Sequence, residues 1–343
     1  MKVSIGNIKI GQGEKIAVQS MTNVIASDTE KTIKQINELA EAGCDIVRFA
    51  VPDEECAKAV DKIKERTNVP LVADIHFDYR LALMCIERGI DKVRINPGNI
   101  GGEDRAKAVL LAAKEKGIPI RVGVNGGSLE KEILSKYGGI TPEGMVESAL
   151  GHIRLMEKYD FTDIVVSIKS SDVKKTIKAY RLARETFDYP LHLGVTEAGT
   201  YTGGLVKSSI GIGSLLADGI GETIRVSLTD NPVKEVEAAK MILSALDLGE
   251  KTVKVVSCPT CGRTKIDLIK IANEVTEAVK NIKKDITVAV MGCVVNGPGE
   301  AKDADIGIAG GDGCAMLFKK GEIIGKIGEG EVTKTLLAEI EKM

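Results

Sequence analysis

The sequence predicts a closed (β/α)8 TIM barrel followed by a small α+β domain organised around cysteines. Three observations carry this. Up to residue 247, short β-branched runs alternate eight times with longer segments of helical period; the order then changes; and the remainder contains the pair Cys258-Pro-Thr-Cys261 and a third cysteine, Cys293. With 343 residues and 43% hydrophobic content, the chain can fill one large barrel plus a small domain.

The β-branched runs occupy residues 15–22, 45–51, 71–76, 92–98, 120–126, 163–170, 191–199 and 223–229, with helical segments such as 28–42, 53–66 and 105–116 between them. Strict strand, helix, strand order implies right-handed parallel crossovers, and eight such units in roughly 240 residues close into a barrel. An open doubly wound sheet would be favoured by a GxGxxG after the first strand, and Gln19-Ser-Met-Thr-Asn is not one. The charged stretch 247–251 reads as a junction, giving domains 1–247 and 252–343. Beyond it the expected order is a strand (252–256), the CxxC, a helix (265–280), a strand (286–291), the Cys293 loop, a strand (305–309), a hairpin (314–327) and a final helix (332–342). Some 90 residues of this kind bury little core, so a bound metal would help to hold them together.

Charge and composition narrow the function. The balance of 47 basic and 49 acidic residues argues against a nucleic-acid or membrane-surface partner, and 3% aromatics with no Trp leave little for base stacking. No run approaches the roughly 18 apolar residues of a membrane span, and the first residues lack a signal-peptide core, so a cytoplasmic protein is expected. In a reducing compartment Cys44, Cys56, Cys85 and Cys314, which lack CxxC spacing, read as small buried hydrophobes.

Barrel strands are ordinarily almost wholly apolar, so charge near their C-terminal ends is informative. Here nearly every strand carries some: Arg48; Asp74 and His76; Arg94 and Asn96; Arg121 and Asn125; Ser167 and Lys169; Thr196 and Glu197; Arg225 and Ser227. Residues two apart share a strand face, so these pairs converge on a polar mouth. Arg48, Arg94, Arg121, Lys169 and Arg225 supply five positive charges against Asp74 and Glu197. Such crowding in low dielectric calls for a polyanion, and the arginine fork suits phosphate, so a small molecule with two phosphoryl groups is expected. Two glycine-rich segments agree with this: 123–128, ending in Ser128, and 207–213, which contains Ser209 and is expected to open a helix after the seventh strand. His152 and His192 read as structural, while His76 is open between a catalytic and a structural role.

The cysteines allow structural zinc or an iron–sulfur cluster. Zinc prefers a fourth Cys or His at short spacing, whereas a cluster tolerates three thiolates and one oxygen such as Glu300, in the tight turn after Cys293. Two rival functions remain open on residues alone. One is a phosphometabolite-binding barrel with a zinc domain for dimerisation; the other is an aldolase using Lys169 as a Schiff base, which leaves the arginines and cysteines unexplained.

Five segments together resemble the 4-hydroxy-3-methylbut-2-enyl diphosphate synthase family (IspG, also called GcpE) in its compact bacterial form. They are Ser257-Cys-Pro-Thr-Cys-Gly-Arg-Thr264, Met291-Gly-Cys-Val-Val-Asn-Gly-Pro-Gly-Glu300, Ala73-Asp-Ile-His76, Val93-Arg-Ile-Asn-Pro-Gly98 and Gly211-Ile-Gly-Ser-Leu-Leu216. The resemblance implies an iron–sulfur oxidoreductase of non-mevalonate isoprenoid biosynthesis. Its reaction would be the reductive ring opening and dehydration of 2-C-methyl-D-erythritol 2,4-cyclodiphosphate to 4-hydroxy-3-methylbut-2-enyl diphosphate, with two electrons from ferredoxin or flavodoxin. By the same resemblance Cys258, Cys261, Cys293 and Glu300 would hold a [4Fe-4S] cluster. Arg48, Arg94, Asn96, Arg121, Asn125, Ser128, Ser167, Lys169, Thr196, Ser209 and Arg225 would bind substrate. Glu197 would act as acid/base with Asp74 and His76 in support, and a homodimer would place the active site between subunits.

Overall fold

The computed structural model describes residues 1–96, 100–295 and 301–343 and divides the chain into two compact units, Met1–Gly249 and Glu250–Met343. The first begins with an antiparallel hairpin, β1 (Lys2–Ile5) and β2 (Ile8–Gly11). Eight parallel strands follow: β3 (Ala17–Met21), β4 (Ile46–Ala50), β5 (Leu71–Asp74), β6 (Lys92–Ile95), β7 (Ile120–Asn125), β8 (Ile164–Lys169), β9 (His192–Leu193) and β10 (Thr223–Ile224). They pair in the order β8-β7-β6-β5-β4-β3-β10-β9, and a parallel bridge from Val166 to Leu191 closes the ring. The predicted barrel is therefore present.

Its helices are α1 (Thr29–Glu41), α2 (Glu54–Lys58), α3 (Val60–Glu65), α4 (Tyr79–Glu87), α5 (Glu103–Lys116), α6 (Lys131–Tyr137), α7 (Pro142–Glu157), α8 (Val173–Thr186), α9 (Tyr201–Ala217) and α10 (Pro232–Ala245). Local chemistry sets most of their starts. Asp28, Asp53, Asp78, Thr141, Asp172 and Asn231 each accept a first-turn N–H on the side chain, and Pro142 and Pro232 sit where a missing N–H costs nothing. The outer faces of the strands and the inner faces of these helices form one core containing Val47, Phe49, Ala73, Ile95, Ile120 and Ile168.

Three details differ from expectation. The region expected as one helix over 53–66 is two, α2 and α3. The seventh and eighth strands keep regular pairing for two residues each, and after β9 the chain turns at Glu197, whose φ of 52° is left-handed. The hairpin was not foreseen; its Val3, Ile5 and Ile10 pack on Ala17, Ile46, Val72 and Val165 and so plug the N-terminal end of the barrel.

The second unit is a five-stranded sheet in sequence order: β11 (Lys254–Ser257), β12 (Thr287–Met291), β13 (Ile306–Gly311), β14 (Cys314–Lys319) and β15 (Glu322–Gly328). The first three strands are parallel and the last two antiparallel. Helices α11 (Leu268–Val279) and α12 (Val332–Glu341) cover one face through Ile271, Val275, Leu336 and Ile340. On the other face Phe318 is buried with Met291, Ala301 and Ala304. Among the described residues no helix is long and apolar enough to cross a membrane.

Ile10 is fully buried in the plug. Ile10→Ala is expected to lower stability by about 2–4 kcal/mol, measured by denaturant unfolding. An unchanged midpoint would mean the hairpin is not part of the barrel's core.

Candidate active site

Alternation along each strand decides what the barrel contains. Residues 48, 74, 94, 121, 167 and 169 face inward, as expected, and all are buried. Asp74 is the hub. Arg94 Nη1 donates to its Oδ1 at 3.0 Å, Arg48 Nε lies 3.8 Å from its Oδ2, and His76 Nε2 lies 3.4 Å from the same oxygen. Burial alone would raise the Asp74 carboxyl, but the Arg48 charge, the His76 hydrogen bond and the Arg94 charge together hold it well below the usual carboxylate range. Those ion pairs therefore persist at neutral pH and are lost only as acid protonates the carboxylate.

A second carboxylate was missed. Glu235 on α10 is buried, accepts from Ser20 Oγ at 2.8 Å and Leu228 N at 3.0 Å, and stands 3.4 Å from both Nε and Nη2 of Arg225. Nothing local marks a single Glu on an amphipathic helix; only the tertiary fold brings it here. Lys92 was also missed, although its two-residue spacing from Arg94 and Asn96 signalled it. It is fully buried, and its Nζ meets Gln19 Oε1 at 3.4 Å.

Six cationic side chains thus crowd the barrel: Arg48, Lys92, Arg94, Arg121, Lys169 and Arg225. Burial, opposed by Asp74 and reinforced by Arg225 and Arg94, brings Arg48 down to about 10, still charged at neutral pH. Much of their donor capacity is unspent. Among the described residues Arg94 Nε and Arg121 Nε and Nη1 are buried without partners, and Arg48 donates from Nε and Nη2 to the weak acceptor Met21 Sδ at 3.2 and 3.0 Å.

Two inward glycines make room for these cations. A Cβ at Gly123 would lie 2.8 Å from Arg94 Nε, and one at Gly194 would lie 2.7 Å from Lys169 Nζ. Any side chain there would displace the charged groups. Of the other expected residues, Asn96 and Ser167 are buried, with Ser167 Oγ donating to Val122 O; Asn125 and Thr196 are half-buried; Ser128 is exposed, with its Oγ donating to Asn125 O. Glu197 and His76 are exposed.

Ser209 requires a correction. Residues 207–213 do not open a helix; they lie inside α9, which starts at Tyr201, so the backbone N–H groups there are spent within the helix. Gly211 serves packing instead: a Cβ there would lie 2.6 Å from Val195 Cγ2. His192 and His152, read from the sequence as structural, are both buried. His192 Nδ1 lies 2.7 Å from Thr223 Oγ1, and His152 Nε2 lies 3.1 Å from Glu130 Oε1.

In the second unit β11 and β12 run parallel with Ser257 opposite Val290, so Cys258 and the Gly292–Cys293 segment leave the same end of the sheet. The Gly292 N–H donates to Cys258 Sγ at 3.2 Å, the kind of contact that stabilises a thiolate ligand. The exposed Cys261 thiol is drawn below its ordinary value by the Arg263 backbone N–H and then by the Arg263 side chain. Three thiols, one already accepting an N–H, suit an iron–sulfur group. They are not gathered into one sphere: among the described residues no three Cys, His, Asp or Glu side chains are grouped to hold a metal, and Glu300 lies outside those residues. Closing such loops costs entropy that metal–thiolate bonds offset. Cys314 is half-buried at the start of β14.

Residues 1–240 match the family model described as the GcpE TIM-barrel domain, and residues 254–342 match the GcpE protein C-terminal domain. The chain belongs to the GcpE family. Among its relatives is a protein of Caldanaerobacter subterraneus subsp. tengcongensis, 62% identical over 100% of this chain and 96% of its own length. Another, from Ruminiclostridium cellulolyticum, is 58% identical over 100% and 97%. Both are named 4-hydroxy-3-methylbut-2-en-1-yl diphosphate synthase (flavodoxin). Among solved structures, 3-dehydroquinate dehydratase from Geobacillus kaustophilus aligns with a TM-score of 0.53 at 14% identity, covering 72% of this chain and 96% of that one. Dihydropteroate synthase from Stenotrophomonas maltophilia aligns at 0.52 and 14%, covering 72% and 98%. At such identity these two speak for the barrel fold alone. In GcpE terms, the cationic mouth belongs to the barrel domain and the thiols to the C-terminal domain.

Gly123→Ala is expected to leave the fold intact and to weaken binding of inorganic pyrophosphate about tenfold, the value of roughly one charge-assisted hydrogen bond. Calorimetric titration checks this, and unchanged affinity would remove Arg94 from the anion site.

Proposed function

We propose that this protein is a 4-hydroxy-3-methylbut-2-enyl diphosphate synthase. It opens the ring of 2-C-methyl-D-erythritol 2,4-cyclodiphosphate, takes up two electrons together with the solvent protons that balance them, and releases water. The observation that carries the reading is the set of buried, under-partnered arginines in the barrel, which fits a polyanion such as a diphosphate. It is joined by the thiols of the second unit and by the names of the relatives, which print flavodoxin.

In this reading Arg48, Arg94, Arg121, Lys169 and Arg225 neutralise the two phosphoryl groups, with Asn96, Asn125, Ser128, Ser167 and Thr196 placing neutral donors and acceptors beside them. Asp74 keeps Arg48 and Arg94 aligned rather than exchanging protons, because its carboxyl stays ionised. His76 bridges Asp74 and Arg94, whose Nη1 lies 3.0 Å from His76 Nε2. Glu197, exposed on a left-handed backbone, is the acid/base nearest the breaking C–O bond; its strained φ is of the sort that functional positions retain. Ser209 takes no part through a helix N-terminus, and any contact it makes is through its hydroxyl.

Cys258, Cys261, Cys293 and Glu300 would hold a [4Fe-4S] cluster. Such a cluster supplies electrons one at a time beside a Lewis-acidic iron. Reduced flavodoxin is the donor we assign, in the cytoplasm, and we assign a homodimer with its active site between subunits.

Anaerobically isolated protein is expected to be brown, with absorbance at roughly 400 nm from thiolate-bound iron. It is also expected to turn over the cyclodiphosphate with reduced flavodoxin, and Cys261→Ser to lose both colour and turnover. A colourless, zinc-loaded wild type would overturn the reading. Glu300→Ala should keep iron but show an altered spectrum and lower activity; an unaltered spectrum with full activity would remove Glu300 as a ligand.

A further inference from the structure

One buried cation has no role in the reading above. Lys92 begins β6 with its side chain wholly enclosed in the barrel, and its hydrogen bond to Gln19 Oε1 from β3 is long, at 3.4 Å. Around it stand Arg48 from β4 and Arg121 from β7, both cationic, and His192 from β9, whose Nδ1 is already engaged by Thr223 of β10. Lys169 from β8 adds a second buried amine nearer the mouth. The two buried carboxylates are committed elsewhere: Asp74 of β5 to Arg48, Arg94 and His76, and Glu235 of α10 to Arg225, Ser20 and Leu228 N.

Six cations against two carboxylates cannot all stay charged cheaply in a dry interior. Arginine does not release its proton in such a place, whereas lysine does. The excess is therefore relieved at lysine. Burial first, then the charges of Arg121 and Arg48, hold Lys92 well below its usual value, and Lys169 is held down similarly.

The geometry points to Lys92 as a further functional residue of this site: it takes a proton from solvent when a polyanion enters the barrel mouth and returns it when the anion leaves. This rests on reading the mouth as a diphosphate site. The only bond made or broken is an N–H bond, and solvent is the proton's source and sink. The sign follows directly. The entering negative charge raises the affinity of the amine for its proton, so between the free and bound pKa values binding takes up protons, and anion affinity falls as pH rises through that window.

Calorimetric titration of the full-length protein with inorganic pyrophosphate, in two buffers of different ionisation enthalpy, measures the protons exchanged. The ligand's own titration is common to every variant, so differences between proteins isolate the residue. Lys92→Met is expected to take up fewer protons than wild type, by up to one per ligand bound, and to show a shallower fall of affinity with pH. Methionine fills the lysine's volume without its amine, so melting at or above the wild-type temperature checks folding. Lys92→Arg, which keeps its proton throughout, is expected to lose the same uptake. Equal proton uptake in wild type and both variants overturns the assignment and leaves the diphosphate site standing. Wild type that binds no pyrophosphate overturns both.

Discussion

Like-charge crowding inside the barrel sets the terms on which everything else in this molecule is arranged. Arginines and lysines point from several strands into a space that water barely reaches, and two carboxylates answer them. Each carboxylate ties together its own sector. Asp74 draws Arg48, Arg94 and His76 into one group, while Glu235 fixes Arg225 and the turn at Leu228. Among the described residues no acid pairs with Arg121, Lys169 or Lys92. Like charges held this close in low dielectric repel one another, and an anion placed among them would ease that repulsion.

The rest of the fold makes that repulsion tolerable. Parallel strands packed outward on an unbroken apolar core, with Val47, Phe49, Ala73 and Ile95 among them, hold the backbone rigid while the inner face stays polar. Gly123 and Gly194 then remove the Cβ atoms that would otherwise collide with Arg94 and Lys169. Charge placement here is a matter of what is absent from neighbouring strands as much as of what is present.

Much of this was legible in the sequence, and what was not has physical reasons. The eight strands announce themselves through β-branched runs, and the inward arginines through interruptions of those runs. Lys92 carried the same signal, but at the start of its strand it resembled an ordinary solvated end. The N-terminal hairpin went unread although it left a trace: Val3, Ile5, Ile8 and Ile10 alternate around Gly6-Asn7. Glu235 was not legible, because a single acid on a helix acquires meaning only when the fold buries it. Residues 207–213 misled because glycines that signal a loop in isolation here let a helix approach the barrel closely. For the cysteines, spacing indicated ligands, while among the described residues the three thiols are not gathered into one group.

The plug formed by β1 and β2 has a consequence for traffic. With Val3, Ile5 and Ile10 sealing the N-terminal end, the barrel is a vessel with one opening. In the proposed reaction substrate and product would pass through the same mouth in turn, so a spent diphosphate lingering there would block the next arrival. Exit of the product then belongs to the reaction cycle as much as the chemistry does, and the stopper at the far end makes it so.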